Sequence, residues 1–506
     1  MPNQLFSPVS ASDFSASERF VSRPRFPFND ARNYSTYLTL SERMFQEQSV
    51  VISQLSDGVD ESAQYYRFLR NPKVSVPELI KVQSEGMRAD VSGRHILVLG
   101  DTTSYNLGNH AKRIQNPGEV GVLEDNKTLG FFAHVNLAVD ADTKDVLGVA
   151  DALLWSRAKA PPPSKSDVSD VKGKSPKVKA VVRASDDKES HKWFLGAQNA
   201  KSILSESSRI TYVFDREADN YELYDSLTKA GDDFVIRVRV DRPVIFEGKK
   251  SLISESLASS ALLGVYKVDL SALDHYSSTS GKRVKRKARK ATIELRSVQV
   301  SMLPPANHPD KSLVPIPMRI VEAREVTNAE SPIEKGEKLV LWRLATSHSA
   351  RDYDLAKSVV EYYTCRWMIE QLFRTSKLEG FDLEATELET FQAIQKQTVM
   401  TLGASARVLQ LIYARERFDS QPIEEVFDTQ ERHVLEIIDQ KFQGTTLEQR
   451  NPYPNDQTSW ATWIIARLGG WKGYKSQKPP GPTTLKRGLK KFNDYLAAYN
   501  LFVAYG

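Results

Sequence analysis

Residues 209–227 read RITYVFDREADNYELYDSL, a strand-like run that ends at Asp215 and passes into a helical pattern. Working outward, ILVLG (Ile96–Gly100) is another short buried-strand run, ending on Asp101. LGFFAHVNLAVD (129–140) and VLGVADALLW (146–155) are two more, with a DADT turn at Asp140–Thr143 between them. A Pro-, Ser- and Lys-rich loop comes next over Ala158–Val182, and the segment around Lys192–Leu204 reads as helical. Three antiparallel strands, a helix and a further strand predict a layered α/β core.

That order matches a core of the ribonuclease H type. The expected fold is α/β: such a core over 91–235, a β-rich insertion over 236–350 and a core helix over 351–385. Helical domains flank it at 1–90 and 386–506. In the first, Ser35–Leu55 is amphipathic, a helix stops near Asn71-Pro72, and Ser75-Val76-Pro77 opens another. Arg67, Arg70 and Lys73 near that junction suit a helix-turn DNA reader, though plain helical packing fits equally. In the last, Leu485, Leu489, Phe492, Leu496 and Tyr499 step by four and three after Pro482. Such a seam serves either a bundle face or a helix that pairs subunits.

With 506 residues, two to four domains are expected, and a 40% hydrophobic, 26% charged chain can bury a large core. The single cysteine, Cys365, excludes an internal disulfide framework and a cysteine-rich zinc site. No apolar run approaches the ~18 residues of a spanning helix, and no basic-then-apolar leader opens the chain; a cytosolic location is expected. A net charge of +5 points only mildly to nucleic acid. The clustering says more. GKRVKRKARK (281–290) holds seven Lys or Arg, Lys172–Arg183 five, and the span between Asp456 and Asp494 eight, none with an acid. Three basic segments suit a polyanion touching several places, and each alone would pass as a solvated face.

The helix expected from about Leu355 to Leu378 carries EYYTCRWMIEQLFRTSK. At ~100° per residue, Tyr363, Arg366, Glu370, Arg374 and Lys377 share about a quarter of the circumference. Cys365, Met368, Ile369, Leu372 and Phe373 take the broad opposite face. A solvated Arg366–Glu370 pair would account for part of this stripe. Three cations around one carboxylate exceed what neutralisation needs, and they suit a metal-binding carboxylate beside a phosphate backbone. Asp101 and Asp215, each closing an apolar run, complete a hard-oxygen set that selects Mg²⁺, with Mn²⁺ able to substitute. Two such ions can clamp both oxygens of an in-line phosphoryl displacement.

GDTTSYN at Asp101, FDREADNY at Asp215 and Tyr363-x2-Arg366-x3-Glu370-x6-Lys377 resemble the DDE transposases of the insertion-sequence-four family. The last spacing is similar to that family's Tyr-Arg-Glu-Lys signature. YRFLRNPKVS (66–75), KRKARKATIELRS (285–297), LWRLATS (341–347) and ARLGGWKG (466–473) extend the resemblance outside the motifs. It implies a metal-binding triad of Asp101, Asp215 and Glu370 with two ions. It also implies phosphate contacts from Tyr363, Arg366, Arg374 and Lys377, and a base-stacking Trp342 near a flipped nucleotide. A related enzyme has Lys where Arg374 stands, so a bidentate contact becomes possible here. Arg67, Arg70, Lys285, Arg286, Arg289 and Lys290 would recognise double-stranded transposon ends, and the C-terminal helices would hold a homodimer in the synaptic complex. The implied chemistry is nicking by water, a hairpin formed by the freed 3′ hydroxyl, hairpin opening, and strand transfer to target DNA. A DNA-binding repressor and a nuclease without strand transfer are the rival readings.

Overall fold

The computed structural model describes residues 28–505 except 29, 89, 160–190, 271–272, 278–281, 309, 328–338, 416, 445–449 and 475–476. The chain divides into two compact units, one made of Met1–Ser208 with Trp367–Gly506 and the other of Arg209–Arg366.

In the first unit, β1 (His95–Asn106), β2 (Gly130–Asp140) and β3 (Val146–Trp155) form an antiparallel β3-β2-β1 sheet. β2 is buried at every position, which is why GFFAHVNLAVD reads as a near-continuous apolar run rather than an alternating one. β1 does not stop at Gly100. It runs through Asp101 to Asn106, with Asp101 opposite Val135. The expected strand end at Asp101 is therefore replaced by a strand interior. Beyond the apolar run, Thr103 and Tyr105 are buried while Thr102 and Ser104 are less so, an alternation that continues the pleat.

Helices Ala31–Glu47, Val59–Arg70 and Val76–Glu85 precede this sheet, and a helix over 191–203 comes after it. Helix Phe391–Ala414 packs against β3 and against all three preceding helices. It is buried almost all round, so its polar residues must find partners inside. Lys396 Nζ donates to the Asn71 carbonyl at 2.7 Å, Gln397 Nε2 to the Val50 carbonyl at 2.8 Å, and Arg407 pairs with Glu42 at 2.8 Å.

The seam of the last helix, Pro482–Tyr505, faces inward. Leu485, Leu489, Phe492 and Leu496 are buried, and the helix packs on Thr458–Leu468. A Cβ on Gly488 would strike the Ile465 carbonyl, so only glycine permits that approach. The bundle-face reading accounts for these positions. Leu501, Phe502 and Val503 beyond the seam are exposed.

In the second unit the sheet is mixed. β4 (Arg209–Phe214) pairs in parallel with β5 (Asp233–Arg237). The later strands are β6 (Pro243–Phe246), β7 (Lys249–Leu252), β8 (Leu262–Leu270), β9 (Leu273–Ser277) and β10 (Lys282–Arg286). They continue with β11 (Arg289–Met302), β12 (Ile316–Val326) and β13 (Leu341–Thr346). From β5 the order runs antiparallel as β5-β13-β12-β11-β6-β7. β8 pairs with β11, and β9 with β10. Mixed α/β units with helices at both ends of the chain are consistent with the expected ribonuclease H-like core. Among the described residues no helix is long and apolar enough to cross a membrane.

Candidate active site

Asp101 sits within β1, half-buried, with one carboxylate oxygen accepting the Thr102 amide at 2.7 Å. The strand's alternation puts Asp101, Thr103 and Tyr105 on one face and Thr102 on the other. Helix Trp367–Arg374, which carries Glu370, packs against β1. Met368, Ile369, Leu372 and Phe373 are buried, as the helical period predicts, and Glu370 is half-buried at their margin.

The helical run expected over Leu355–Leu378 is not continuous. Helix Tyr353–Cys365 ends with Arg366 at its C-cap, a new helix starts at Trp367, and Thr375–Glu379 is a π-turn. The wider winding of a π-turn changes the angular positions of its residues, so the regular period does not place Lys377. Instead Lys377 Nζ donates to the Ser104 carbonyl of β1, lies 5.2 Å from the Tyr105 ring centroid and 3.9 Å from the Glu384 carboxylate. Burial lowers its ammonium pKa, and the Glu384 charge works against that. Ser376 Oγ meets the Tyr105 hydroxyl at 3.0 Å, tying the same turn to β1. Arg374 is exposed. The first unit thus gathers Asp101, the Glu370 helix and Lys377 around one strand.

In the second unit Asp215 directly follows β4 and caps the 3₁₀ turn Arg216–Ala218, accepting the Glu217 amide at 2.8 Å. Asp219 anchors the rest of the turn: it accepts from Tyr224 Oη at 2.8 Å and the Arg239 amide at 2.6 Å, and pairs with Arg242 at 2.5 Å. Tyr363 is buried, contrary to its expected place on a polar stripe. The reason is Trp342 on β13, whose ring meets it at 5.1 Å. Burial raises the phenol pKa; Arg366 and Arg237 oppose the rise, and the Asp215 charge adds to it. Asp215, Tyr363, Arg366, Arg237 and Trp342 therefore form one neighbourhood.

Two residues in these settings escape sequence reasoning. Arg237 closes β5, and FVIRVRV reads as strand with nothing to single out its first arginine. Trp367 is 56% exposed, a large apolar surface next to Arg366 that the helical period alone assigns no role.

The remaining expected contacts are scattered. Arg67 and Arg70 are exposed in the last turn of helix Val59–Arg70; Arg70 lies 5.4 Å from the Tyr66 ring centroid and 3.5 Å from Glu389. Arg289 turns onto Glu325, at 2.9 Å in a pair almost closed to solvent, while Lys290 is exposed. Lys285 and Arg286 belong to β10, but their side chains, like the whole Lys172–Arg183 run, lie outside the described residues.

Asp101, Asp215 and Glu370 are carboxylates, hard oxygen donors of the kind that suit Mg²⁺ or Mn²⁺. As the side chains stand, among the described residues no group of three or more His, Cys, Asp or Glu could hold a metal ion. Comparison with protein families adds an independent finding. Residues 196–406 match the family model described as Transposase DDE domain. The matched stretch contains Asp215, Trp342, Tyr363, Arg366, Glu370, Arg374 and Lys377, while Asp101 precedes it. The match over residues 196–406 supports a DDE transposase, an enzyme that cuts and transfers DNA.

Proposed function

We propose that the chain is a cut-and-paste transposase that binds transposon ends, cleaves both strands through a hairpin and joins the 3′ ends to target DNA. The observation that carries this reading is the transposase DDE match, within which Tyr363, Arg366, Glu370 and Lys377 keep the signature spacing. In this reading Asp101, Asp215 and Glu370 hold two Mg²⁺ ions, for which Mn²⁺ can substitute. When bound, the ions supply Lewis-acid activation of an oxygen nucleophile and charge stabilisation at phosphorus.

The chain's own residues do the rest. Arg366 and Arg374 fork onto phosphate oxygens and Lys377 serves as a point charge. Tyr363, held by Trp342, fixes the position of the Arg366 turn, and Trp342 stacks on an unpaired base. Water attacks one strand and leaves a 3′ hydroxyl. That hydroxyl attacks the opposite strand, expelling a 3′ oxygen and closing the hairpin. A second water reopens it, and the same 3′ hydroxyl then attacks target DNA. Arg67 and Arg70 contact the ends, and the exposed Leu501–Val503 turn contributes to a homodimer that holds two of them.

Incubation with DNA carrying the terminal inverted repeats of its own element, in Mg²⁺, tests the proposal. Double-strand breaks, hairpin ends and joined target products are expected. Binding without cutting at saturating protein would identify a repressor, and cleavage without joining a nuclease.

A further inference from the structure

On the face of the first unit's sheet opposite Asp101 lies a row of buried polar side chains. The register sets Thr102 opposite His134 and Asn136 opposite Asp151. His134 and Asn136 are two apart on β2 and so share a face with Thr102 and Asp151. All but Thr102 are nearly closed to solvent, at 0%, 0% and 4% exposure for His134, Asn136 and Asp151. The helix over 191–203 covers them. Trp193 meets the His134 ring edge-on at 4.6 Å, Asn199 Nδ2 lies 3.3 Å from the Asp151 carboxylate, and Gly196 lets the backbone close over Asn136.

Stability does not account for this row. Burying three polar side chains is unfavourable unless every polar atom is satisfied. Among the described residues, His134 Nε2 and both polar atoms of the Asn136 amide have no hydrogen-bond partner. Apolar residues of similar size would pack the same space. The row does provide a fixed partner for Thr102, whose hydroxyl lies 3.0 Å from His134 Nδ1. The imidazole is neutral at working pH, because burial, aided by the Lys192 charge, pushes it down to about 3.

Thr102 is also the residue whose amide holds the Asp101 carboxylate, at 2.7 Å. Its side chain and its N–H leave the strand on different sides, so anchoring the hydroxyl fixes the backbone rotation that aims the amide. We propose that His134 is a positioning residue for Asp101, acting through Thr102 from the reverse face of the sheet. This rests on the reading of Asp101 as a metal ligand. Partners that orient a ligand without touching the metal typically change metal affinity or activity by about 10–100-fold when removed.

Thr102→Val deletes the hydroxyl and keeps the branched shape, while Thr102→Ser keeps the hydroxyl. The readout is Mn²⁺ binding to the full chain with transposon-end DNA, measured by the paramagnetic signal of free Mn²⁺, alongside thermal melting and end binding. For T102V we expect roughly 10-fold weaker Mn²⁺ binding with melting and end binding unchanged. T102S should recover the affinity, and His134→Ala should show the same loss of Mn²⁺ affinity as T102V. If T102V binds Mn²⁺ as wild type does, the inference is overturned, whatever His134→Ala does to folding. If the wild-type protein shows no Mn²⁺ binding that Asp101→Ala removes, the metal-ligand reading itself fails.

Discussion

The ring of Trp342 meets that of Tyr363 with centroids 5.1 Å apart and planes at 72°, an edge-to-face pair linking β13 to the helix that ends at Cys365. Trp342 is half-buried and Tyr363 buried, so the tryptophan has one side against the tyrosine and another open to solvent. An aromatic so held is a rigid stacking platform at little entropic expense. Trp342→Ala should therefore reduce hairpin formation more than first-strand nicking, scored on the same end DNA. Equal loss at both steps would mean the residue acts only by supporting Tyr363.

Arg67 is proposed to contact the transposon end away from the three carboxylates. It is exposed in the last turn of its helix, with Nε on its own Ala63 carbonyl. If it contacts a phosphate, Arg67→Ala should weaken end binding and lower the slope of log affinity against log salt by about 0.9. An unchanged slope would remove it from the interface.

Gly488 sets how closely the last helix lies on Thr458–Leu468. Gly488→Ala would drive a methyl into the Ile465 carbonyl, a backbone atom that cannot turn away. A loss of about 1–3 kcal/mol is expected, the usual range for overpacking, seen as a lower urea midpoint. An unchanged midpoint would show the two helices free to separate.

Asp151 should give a pH signature. Burial pushes its carboxyl up to about 7, while an unfolded chain releases that proton near 3.8. Between those values the folded state binds more protons, so folding stability falls as pH rises, and the penalty is complete above about 7. Asp151→Asn keeps the shape and removes the charge. It should stabilise the protein at pH 8 relative to pH 5, by at most about 3 kcal/mol, read from urea midpoints. Glu425, also pushed up to about 7 by burial, retains its own slope in both proteins. Equal pH dependence of wild type and D151N would contradict the assignment.

Much of this is legible in the sequence, and the exceptions have physical causes. The apolar runs at 96–100, 129–140, 146–155 and 209–214 are strands because burial on both faces requires continuous apolar stretches. The apolar face of the Glu370 helix is given by its period. The full strand length at Asp101 is hidden because Thr102 and Ser104 look like turn residues out of context. Tyr363 reads as a surface residue because periodicity along one helix carries no knowledge of Trp342, 21 residues upstream on a strand. The π-turn at Thr375–Glu379 has no local signature, and it places Lys377 on β1. The polar row behind Asp101 is invisible for the same reason: His134 and Asn136 sit within a run that reads as simply apolar.

The central claim is that three carboxylates perform phosphoryl transfer on transposon ends, and Glu370→Ala tests it most directly. Wild type and E370A would be compared on the same labelled end DNA in Mg²⁺, with binding and cutting measured in parallel. The expected result is loss of cutting below detection in E370A with end binding within about two-fold of wild type, since removing one carboxylate leaves in place the cations proposed to contact DNA. Cutting that survives in E370A, or binding that collapses together with cutting, would contradict the account.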